Sequence, residues 1–250
     1  MAKFFITQEQ VNDNNIEIIG KDVNHIRNVL RKKVNDEIII CNTTNEKDYL
    51  CSINNLSKES VTCTIITELE KQVESNVKVS IFQGLPKFDK MELVIQKSVE
   101  LGAYEIIPVE MKRCIVKLQE KDKLKKIQRW QKISEVACKQ CGRNLIPKIN
   151  PIIKTKNICD LIKEYDLFLV AYENEQEKTI KQALKELKEE YGLQDVKIGV
   201  LIGPEGGIAP EEVDSLQNYG AITVSLGKRI LRTETVALNV LSVIMYELEY

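Results

Sequence analysis

Two glycine-rich loops contain the residues whose types and spacing best fit ligand chemistry. Residues 201–208 (LIGPEGGI) end an apolar run at 197–202, and residues 226–235 (LGKRILRTET) end a second apolar run at 221–226. Because glycine has no side chain, it lets the backbone approach a ligand closely and adopt conformations forbidden to other residues. The two loops predict a nucleotide-like cofactor held largely by backbone groups. The alternative is a pair of tight strand-to-helix turns without a ligand.

Neither loop matches a familiar catalytic or phosphate-binding motif. The sequence lacks GxxxxGK[ST], which excludes the usual P-loop, and it lacks GxGxxG after its first α/β strand, which disfavours an ordinary dinucleotide-binding fold. A Ser-His-Asp hydrolase is disfavoured too, since the single histidine, His25, lies far from both loops in the sequence. We expect His25 to be structural.

The seven cysteines are odd in number and scattered, as is typical of a reducing compartment. Cys138 and Cys141 form a CxxC pair, but a structural zinc needs about four ligands and no second pair accompanies this one. We therefore expect no metal and place the CxxC on a turn of helix; a thioredoxin-like redox pair lacks its strand-then-helix context. No apolar run is long enough to span a membrane, and the N-terminus turns polar too early for a secretory signal. The expected location is the cytoplasm, with no membrane partner.

The charge of the chain is unevenly distributed. Its net charge is −1, yet residues 110–148 contain twelve basic and four acidic residues, which is 12 − 4 = +8. A basic segment on a neutral chain indicates a polyanion-binding face. A solvated, lysine-rich helix is the alternative.

The hydrophobic pattern changes near residue 72 and predicts two domains, 1–72 and 73–250. In the first, short β-rich segments separated by polar turns are typical of a small β-barrel. These segments are 37–41, 49–53 and 61–68, with one helical segment at 23–31.

The second domain alternates strands with helices, which predicts an α/β structure with a mainly parallel sheet. Its predicted strands are 77–82, 104–109, 166–171, 197–202 and 221–226, and its predicted helices are 87–101, 124–140, 177–191, 210–218 and 235–249. Ligands of such sheets bind beyond the carboxyl ends of the strands, where both glycine loops lie. The last helix should open with capping threonines. It is apolar on nearly every face, so we expect it to be buried in the core or against a partner subunit.

The two loop sequences, taken together, resemble the signature of SPOUT methyltransferases. The likeness is closest to the bacterial ribosomal RNA small-subunit methyltransferase E family, whose members methylate N3 of a uridine in 16S ribosomal RNA. Three further stretches fit that family: 87–102 (KFDKMELVIQKSVELG), 137–147 (ACKQCGRNLIP) and, more weakly, 25–32 (HIRNVLRK). The resemblance therefore covers the chain nearly from end to end.

The resemblance implies a fold, a cofactor and partners. The first domain would be a PUA-like, RNA-binding β-barrel, and the second an α/β domain with a deep trefoil knot. S-adenosylmethionine would donate the methyl group, the small ribosomal subunit with its 16S ribosomal RNA would be the substrate, and the enzyme would be a homodimer with its site at the subunit interface.

The resemblance also assigns roles to residues of this sequence. The donor would be held by Leu201, Ile202, Gly203, Pro204, Glu205, Gly206, Leu226, Gly227, Ile230, Leu231 and Thr233. Arg232 would stabilise negative charge developing on the uracil, or else would pair with a carboxylate and close a loop. Glu205 and Glu234 would take the N3 proton or orient neighbouring groups. RNA contacts are expected at Lys87, Lys90, Lys97, Arg113, Arg143 and Asn144.

Two alternative functions stay open at this point. A related knotted enzyme could methylate ribose 2′-hydroxyls of ribosomal or transfer RNA, although such enzymes usually lack this barrel and these middle motifs. The chain could instead be a non-catalytic RNA-binding protein. The intact glycines at Gly203, Gly206 and Gly227, together with Arg232, disfavour that alternative.

Overall fold

A computed structural model describes residues 3–70, 73–192 and 195–249, and these fall into two units. The first unit is Met1–Glu74 with Cys138–Ile146, and the second is Ser75–Ala137 with Pro147–Tyr250. The sequence predicted one boundary at residue 72. The structure differs in grouping the segment that contains the CxxC pair with the first unit.

The first unit is built on a six-stranded sheet with the strand order β1-β4-β5-β6-β3-β2. Strand β1 pairs parallel with β4, and the other pairings are antiparallel. Alternating burial along β3 turns Ile16 and Ile18 inward, as expected for a strand with one face on a core. The strands are β1 Lys3–Ile6, β2 Val11–Asn12, β3 Asn15–Ile19, β4 Glu37–Asn42, β5 Lys47–Leu56 and β6 Ser60–Leu69.

The predicted helix of the first unit is present in a distorted form. Helix α1, Lys21–Asn24, continues as a π-helical turn at His25–Val29. Arg31 has a φ of 53°, which helical backbone does not allow, so the turn ends before it. His25 packs edge-on against Phe4 in this unit, in agreement with a structural role.

The second unit is a parallel α/β sheet, as predicted. Its strand order is β10-β8-β7-β12-β11-β13, with β9 also paired to β8, and every described pairing is parallel. The strands are β7 Lys78–Gly84, β8 Glu105–Glu110, β9 Lys148–Ile149, β10 Ile153–Lys154, β11 Leu167–Ala171, β12 Lys197–Ile202 and β13 Ile222–Val224. The central strands are buried nearly throughout, because helices cover both faces of such a sheet.

Six α-helices accompany this sheet among the residues that the structure describes. They are α2 Lys90–Glu100, α3 Glu120–Cys141, α4 Thr155–Leu161, α5 Ile180–Tyr191, α6 Pro210–Gln217 and α7 Thr233–Leu248. The CxxC pair lies on the last turn of α3, as expected. Pro210 occupies the first turn of α6, where its missing N–H costs no hydrogen bond. No helix in the described part of the chain is long and apolar enough to cross a membrane.

Helix α2 starts later than the sequence predicted. Phe88 has a φ of 54°, so the helix cannot include it and begins only after Asp89. Lys87 therefore precedes the helix that contains Lys90 and Lys97, and the prediction of one continuous helix over 87–101 is wrong at its start.

Helix α7 buries one face in the core of the second unit and leaves the other partly open. Its inward residues include Ala237, Val240, Leu241 and Ile244, all 0% exposed, whereas Tyr246 is 74% exposed. The sequence predicted burial in the core or against a partner subunit, and the core covers one face of this helix.

Candidate functional site

The carboxyl ends of three neighbouring strands define the site. In the sheet register, Ala171 at the end of β11 lies beside Ile202 of β12 on one side and Val224 of β13 on the other. The two glycine loops follow β12 and β13, which are not neighbours, because β11 lies between them. Consequently a third loop, beginning with Tyr172 and Glu173, belongs to the same edge.

These loops surround a cleft of about 550 Å³. That volume lies within the roughly 300–1,000 Å³ typical of small-molecule sites. All the predicted donor-binding residues except Leu201, which is fully buried in β12, line it. The lining residues are Lys90, Ala171, Tyr172, Glu173, Ile202, Gly203, Pro204, Glu205, Gly206, Gly207, Val224, Ser225, Leu226, Gly227, Lys228, Arg229, Ile230, Leu231, Arg232, Thr233 and Val236.

The first glycine loop is packed too tightly to carry side chains. A Cβ on Gly203 would lie 2.8 Å from Ile208 Cγ1, and one on Gly206 would lie 3.0 Å from the carbonyl oxygen of Arg113. Gly207, with a φ of 70°, would direct a Cβ into the carboxylate of Glu173. The glycines thus serve the internal packing of the loop as well as leaving bare backbone along the cleft.

The second loop has a different requirement for glycine. Gly227 has a φ of 120° with no atom within 4 Å of a built Cβ, so the backbone conformation, rather than space, demands glycine there. Beyond it, the loop leads into α7 with Arg232 as the N-cap residue. The expected threonine cap is wrong, because no side chain caps this helix end.

The hydroxyl of Thr233 instead connects the two loops. Thr233 Oγ1 donates to the carbonyl oxygen of Gly203 at 2.7 Å and accepts a hydrogen bond from Gln83 Nε2 at 2.9 Å. Gln83 is fully buried at the end of β7, and its amide also donates to the Gly84 carbonyl oxygen. The first residue of α7, the first glycine loop and a central strand are thereby fixed to one another.

Three charged side chains form a cluster at the edge of the cleft. The ammonium of Lys90 lies 3.2 Å from a carboxylate oxygen of Glu205 and 3.2 Å from one of Glu234. The carboxylate of Glu205 also accepts the backbone N–H of Lys87 at 3.1 Å. Lys90, which was expected to contact RNA, therefore forms ion pairs with the two carboxylates that were expected to act in catalysis.

The charges of this cluster stabilise one another. Hydrogen bonding by Glu234 and Glu205 raises the pKa of the Lys90 ammonium. Burial acts to raise the pKa of Glu205, but hydrogen bonds from backbone N–H groups and from Lys90 outweigh it, so the pKa is lowered. An ionised Glu205 with a lowered pKa is a weak proton acceptor and a good orienting group for Lys90.

Arg232 lines the cleft with an exposed side chain. Among the described residues, no carboxylate forms an ion pair with Arg232. The alternative role, in which Arg232 pairs with a carboxylate and so closes a loop, is therefore not observed. The Arg232 guanidinium is thus available to a ligand in the cleft.

The remaining residues expected to contact RNA have different surroundings. Lys97 pairs with Glu100 at 2.9 Å on α2, and Arg113 Nη1 donates to the Gly206 carbonyl oxygen at 3.2 Å. Arg143 and Asn144 lie in the first unit, where both are buried. An RNA contact at these positions stays a prediction.

The buried Arg143 makes an ion pair with the half-buried Glu74. Its guanidinium approaches Glu74 at 2.6 Å, and the same carboxylate accepts the backbone N–H groups of Asn144 and Leu145. Burial acts to raise the pKa of Glu74, but these hydrogen bonds outweigh it and lower the pKa. The structure thus gives Arg143 a structural role, and an RNA contact there stays a prediction.

Comparison with known proteins identifies the family. The RNA methyltransferase domain family matches residues 73–245, and the RNA methyltransferase PUA domain family matches residues 18–66. The ribosomal RNA small subunit methyltransferase E of Bacillus subtilis (strain 168) is 35% identical over 100% of this chain and 98% of its own length. The chain belongs to the ribosomal RNA small subunit methyltransferase E family.

Solved structures agree with that membership. A methyltransferase of Legionella pneumophila in complex with SAM is 31% identical, with a TM-score of 0.83 over 98% of this chain and 97% of that one. A ribosomal RNA small subunit methyltransferase E of Neisseria gonorrhoeae bound to S-adenosyl methionine is 29% identical, with a TM-score of 0.82 over 98% of this chain and 97% of that one. The predicted PUA-like first domain and parallel α/β second domain are confirmed.

Sequence reasoning missed part of the site. Tyr172 and Glu173 line the cleft but belong to a loop without glycine, and Gln83 looks like one polar residue in a buried strand. Parallel strands end at a common edge, so the residues after 171 could have been considered. The role of Gln83 depends on a partner 150 positions away in the sequence.

Proposed function

We propose that this protein transfers the methyl group of S-adenosylmethionine to N3 of a uridine in the 16S ribosomal RNA of the small ribosomal subunit, in the cytoplasm. The observation that carries the proposal is the cleft in which the loops after β11, β12 and β13 meet, with Thr233 joined to Gly203. Relatives with this fold and full-length similarity include a small subunit methyltransferase E.

The cleft fits the donor in size and character. Its glycine-rich walls present backbone rather than side chains to a ligand. No atom lies within 4 Å of a Cβ built on Gly227, so there is open space beside this residue. Leu226, Gly227, Ile230 and Leu231 would hold the adenine, and the loop from Gly203 to Gly206 would support the rest of the bent molecule. When bound, the donor supplies an already activated methyl group.

The protein's own contribution is positioning and charge. Uridine N3 carries a proton, and its loss places negative charge on the O2 and O4 atoms of the base. The guanidinium of Arg232, free of carboxylate partners in the described structure, would stabilise that charge. Lys90 would hold Glu205 and Glu234 at the edge of the site, and its hydrogen bond helps to keep Glu205 ionised. The two carboxylates would orient the acceptor, and Glu205, with its lowered pKa, would be a weak base.

We also propose a homodimer with its site completed at the subunit interface. Exposed apolar side chains support this proposal: Ile230 on the cleft is 89% exposed, Phe88 before α2 is 87% exposed, and Tyr246 near the end of α7 is 74% exposed. Where such side chains form a contiguous patch, they mark an interaction surface. A deep trefoil knot in the second domain remains a prediction from the family resemblance.

Methyl transfer to ribosomal subunits tests the proposed function. The protein is incubated with methyl-labelled S-adenosylmethionine and small subunits purified from cells that lack the modification. Label in the ribosomal RNA that depends on the protein is the expected result. Binding of the donor without any transfer would instead support a binding-only role.

A further inference from the structure

Helix α3 carries cations that no carboxylate neutralises. Some of its basic residues are paired: Lys123 lies 2.6 Å from Glu120, and Arg129 lies 2.7 Å from Glu92. The exposed Lys121, Lys125 and Lys132, by contrast, have no ion pair with any residue that the structure describes. These three side chains carry part of the excess positive charge of the basic segment; Lys117, Lys126 and Lys148 likewise have no ion pair with a described residue.

The three lysines share one face of the helix. Their spacings of four and seven residues place them within about 40° of one another around the helix axis, along a length of about 16 Å. Gln128 falls on the same face, and Glu135 is the acidic residue at its C-terminal end. We call Lys121, Lys125 and Lys132 the lysine stripe.

An apolar groove of about 330 Å³ adjoins the end of the stripe, between α2 and α3. Its apolar lining is Ile133, Val136 and Ala137, and its polar lining is Gln96, Arg129 and Lys132. Val136 is 67% exposed, so its side chain is accessible from the groove. The groove thus combines apolar side chains with an amide and cations.

We propose that the lysine stripe and this groove bind a single-stranded or looped segment of the substrate RNA, with backbone phosphates on the lysines and one unstacked base in the groove. A row of cations beside a site that accepts a base is how proteins hold unpaired nucleic acid. Charge complementarity selects a polyanion, and the amide of Gln96 is placed to bond a base edge. This inference rests on the proposed function, since it takes RNA as the substrate.

The stripe differs from the RNA contacts that the sequence predicted. Lys90 and Lys97 are each paired with carboxylates, so their charge is already balanced inside the protein. Displacing such a pair to bind a phosphate would lose as much interaction as it gained. Unpaired lysines bind phosphate without that loss, and they release counterions when they do.

A charge-reversal pair on the stripe tests the inference. In Lys125→Glu/Lys132→Glu, the KM for small subunits should rise about tenfold or more, while kcat and S-adenosylmethionine affinity stay within twofold of wild type. The dependence of log Kd on log salt concentration should also become shallower, by about 1.4 for two lost phosphate contacts. Lys181→Glu/Lys185→Glu on α5 is the control, because it makes the same change in charge at two exposed helical lysines.

The outcomes separate this inference from the proposed function. If the stripe and control variants have equal KM values in an assay where wild type methylates the subunits, the lysine stripe does not bind RNA, and the proposed function is unaffected. A wild type that transfers no methyl group would overturn the function on which the inference rests. For the groove, Val136→Glu should raise the KM for subunits. If it instead yields a monomer in sedimentation and leaves the KM unchanged, a second copy of the chain occupies the groove and the RNA assignment there is wrong.

Discussion

The hydroxyl of Thr233 donates a 2.7 Å hydrogen bond to the carbonyl oxygen of Gly203, and so joins two loops that lie thirty residues apart in the sequence. The same hydroxyl accepts from the buried amide of Gln83. This contact makes the shape of the cleft depend on a side chain that need not touch the donor at all. Thr233 is therefore a positioning residue for the first glycine loop.

Replacing Thr233 by valine should loosen that loop. Thr233→Val keeps the side-chain shape but leaves the Gly203 carbonyl oxygen and the Gln83 amide without this partner, at a cost of about 1–3 kcal/mol. We expect S-adenosylmethionine affinity, measured by calorimetry, to fall about tenfold, which corresponds to 1.4 kcal/mol. Thr235→Val, at an exposed site on the same turn of helix, is the control and should bind as wild type does. Equal affinity in both variants would show that the link does not shape the donor site.

Loss of the Arg232 guanidinium should slow chemistry more than binding. Arg232→Gln removes a cation from the cleft wall, and loss of one such stabilising group typically lowers kcat by about 10²–10³-fold. Single-turnover methyl transfer is the measurement, with S-adenosylmethionine affinity expected to stay within twofold. The variant should recover activity at higher pH, because more of the uridine is then already deprotonated.

The control for this substitution is Arg229→Gln, which also removes a cation from the cleft wall. It should retain near-normal single-turnover rates. If both variants slow equally, the effect is one of general positive charge, and the specific role of Arg232 is wrong.

The cluster of Lys90, Glu205 and Glu234 should make stability depend on pH. The pKa of Glu205 is lowered in the folded protein, so its contribution is present above the unfolded pKa of about 4.3 and is lost as the pH falls through the lower folded value. The pKa of Lys90 is raised, so its contribution is present below about pH 10.4 and is lost as the pH rises through the higher folded value. The cluster is therefore complete across the neutral range.

Lys90→Met should thus destabilise the protein most between about pH 5 and 10, and the difference from wild type should shrink in acid as Glu205 becomes protonated. Chemical denaturation at a series of pH values measures this. Lys97→Met, which breaks a single pair with Glu100 on the same helix, should have a smaller and flatter effect. A difference between wild type and Lys90→Met that is constant with pH would contradict the electrostatic account.

Arg143 offers a test between a structural role and the expected RNA contact. Arg143→Ala leaves the half-buried carboxylate of Glu74 without its guanidinium partner, at a cost somewhat below the roughly 3–5 kcal/mol of a fully buried pair. We expect a clearly lower midpoint of thermal unfolding. Lys139→Ala, which breaks a more exposed pair with Asp22 in the same unit, should change the midpoint little. Normal stability of Arg143→Ala with weakened RNA binding would instead favour direct contact.

Much of the fold could be predicted from sequence because its signals are local. The bounds predicted for β12, 197–202, match the structure, and the glycine at Gly102 with a φ of 91° ends α2 as expected. Apolar runs and left-handed glycines determine the conformation of residues close to them in the chain, so their effects can be predicted from the sequence alone. The shortest strands, such as β2 and β9, span two residues each and carry no such pattern.

The site was less predictable, because it depends on strand order and on charge pairing. Nothing local indicates that β11 lies between β12 and β13, and this order is what brings Glu173 into the cleft. Likewise, Lys90 and Arg143 look like free cations in the sequence, but carboxylates distant along the chain neutralise both. The sequence could identify which residues are basic, and only the fold decides which of them remain unpaired.

Identification of the methylated nucleoside tests the central claim most directly. Small subunits lacking the modification would be treated with the protein and labelled S-adenosylmethionine, and the RNA would then be digested to nucleosides and separated by liquid chromatography with mass spectrometry. Label that coelutes with 3-methyluridine is the predicted result. Label on a ribose 2′-oxygen, or on a base other than uracil, would contradict the account while leaving the fold and the donor site intact.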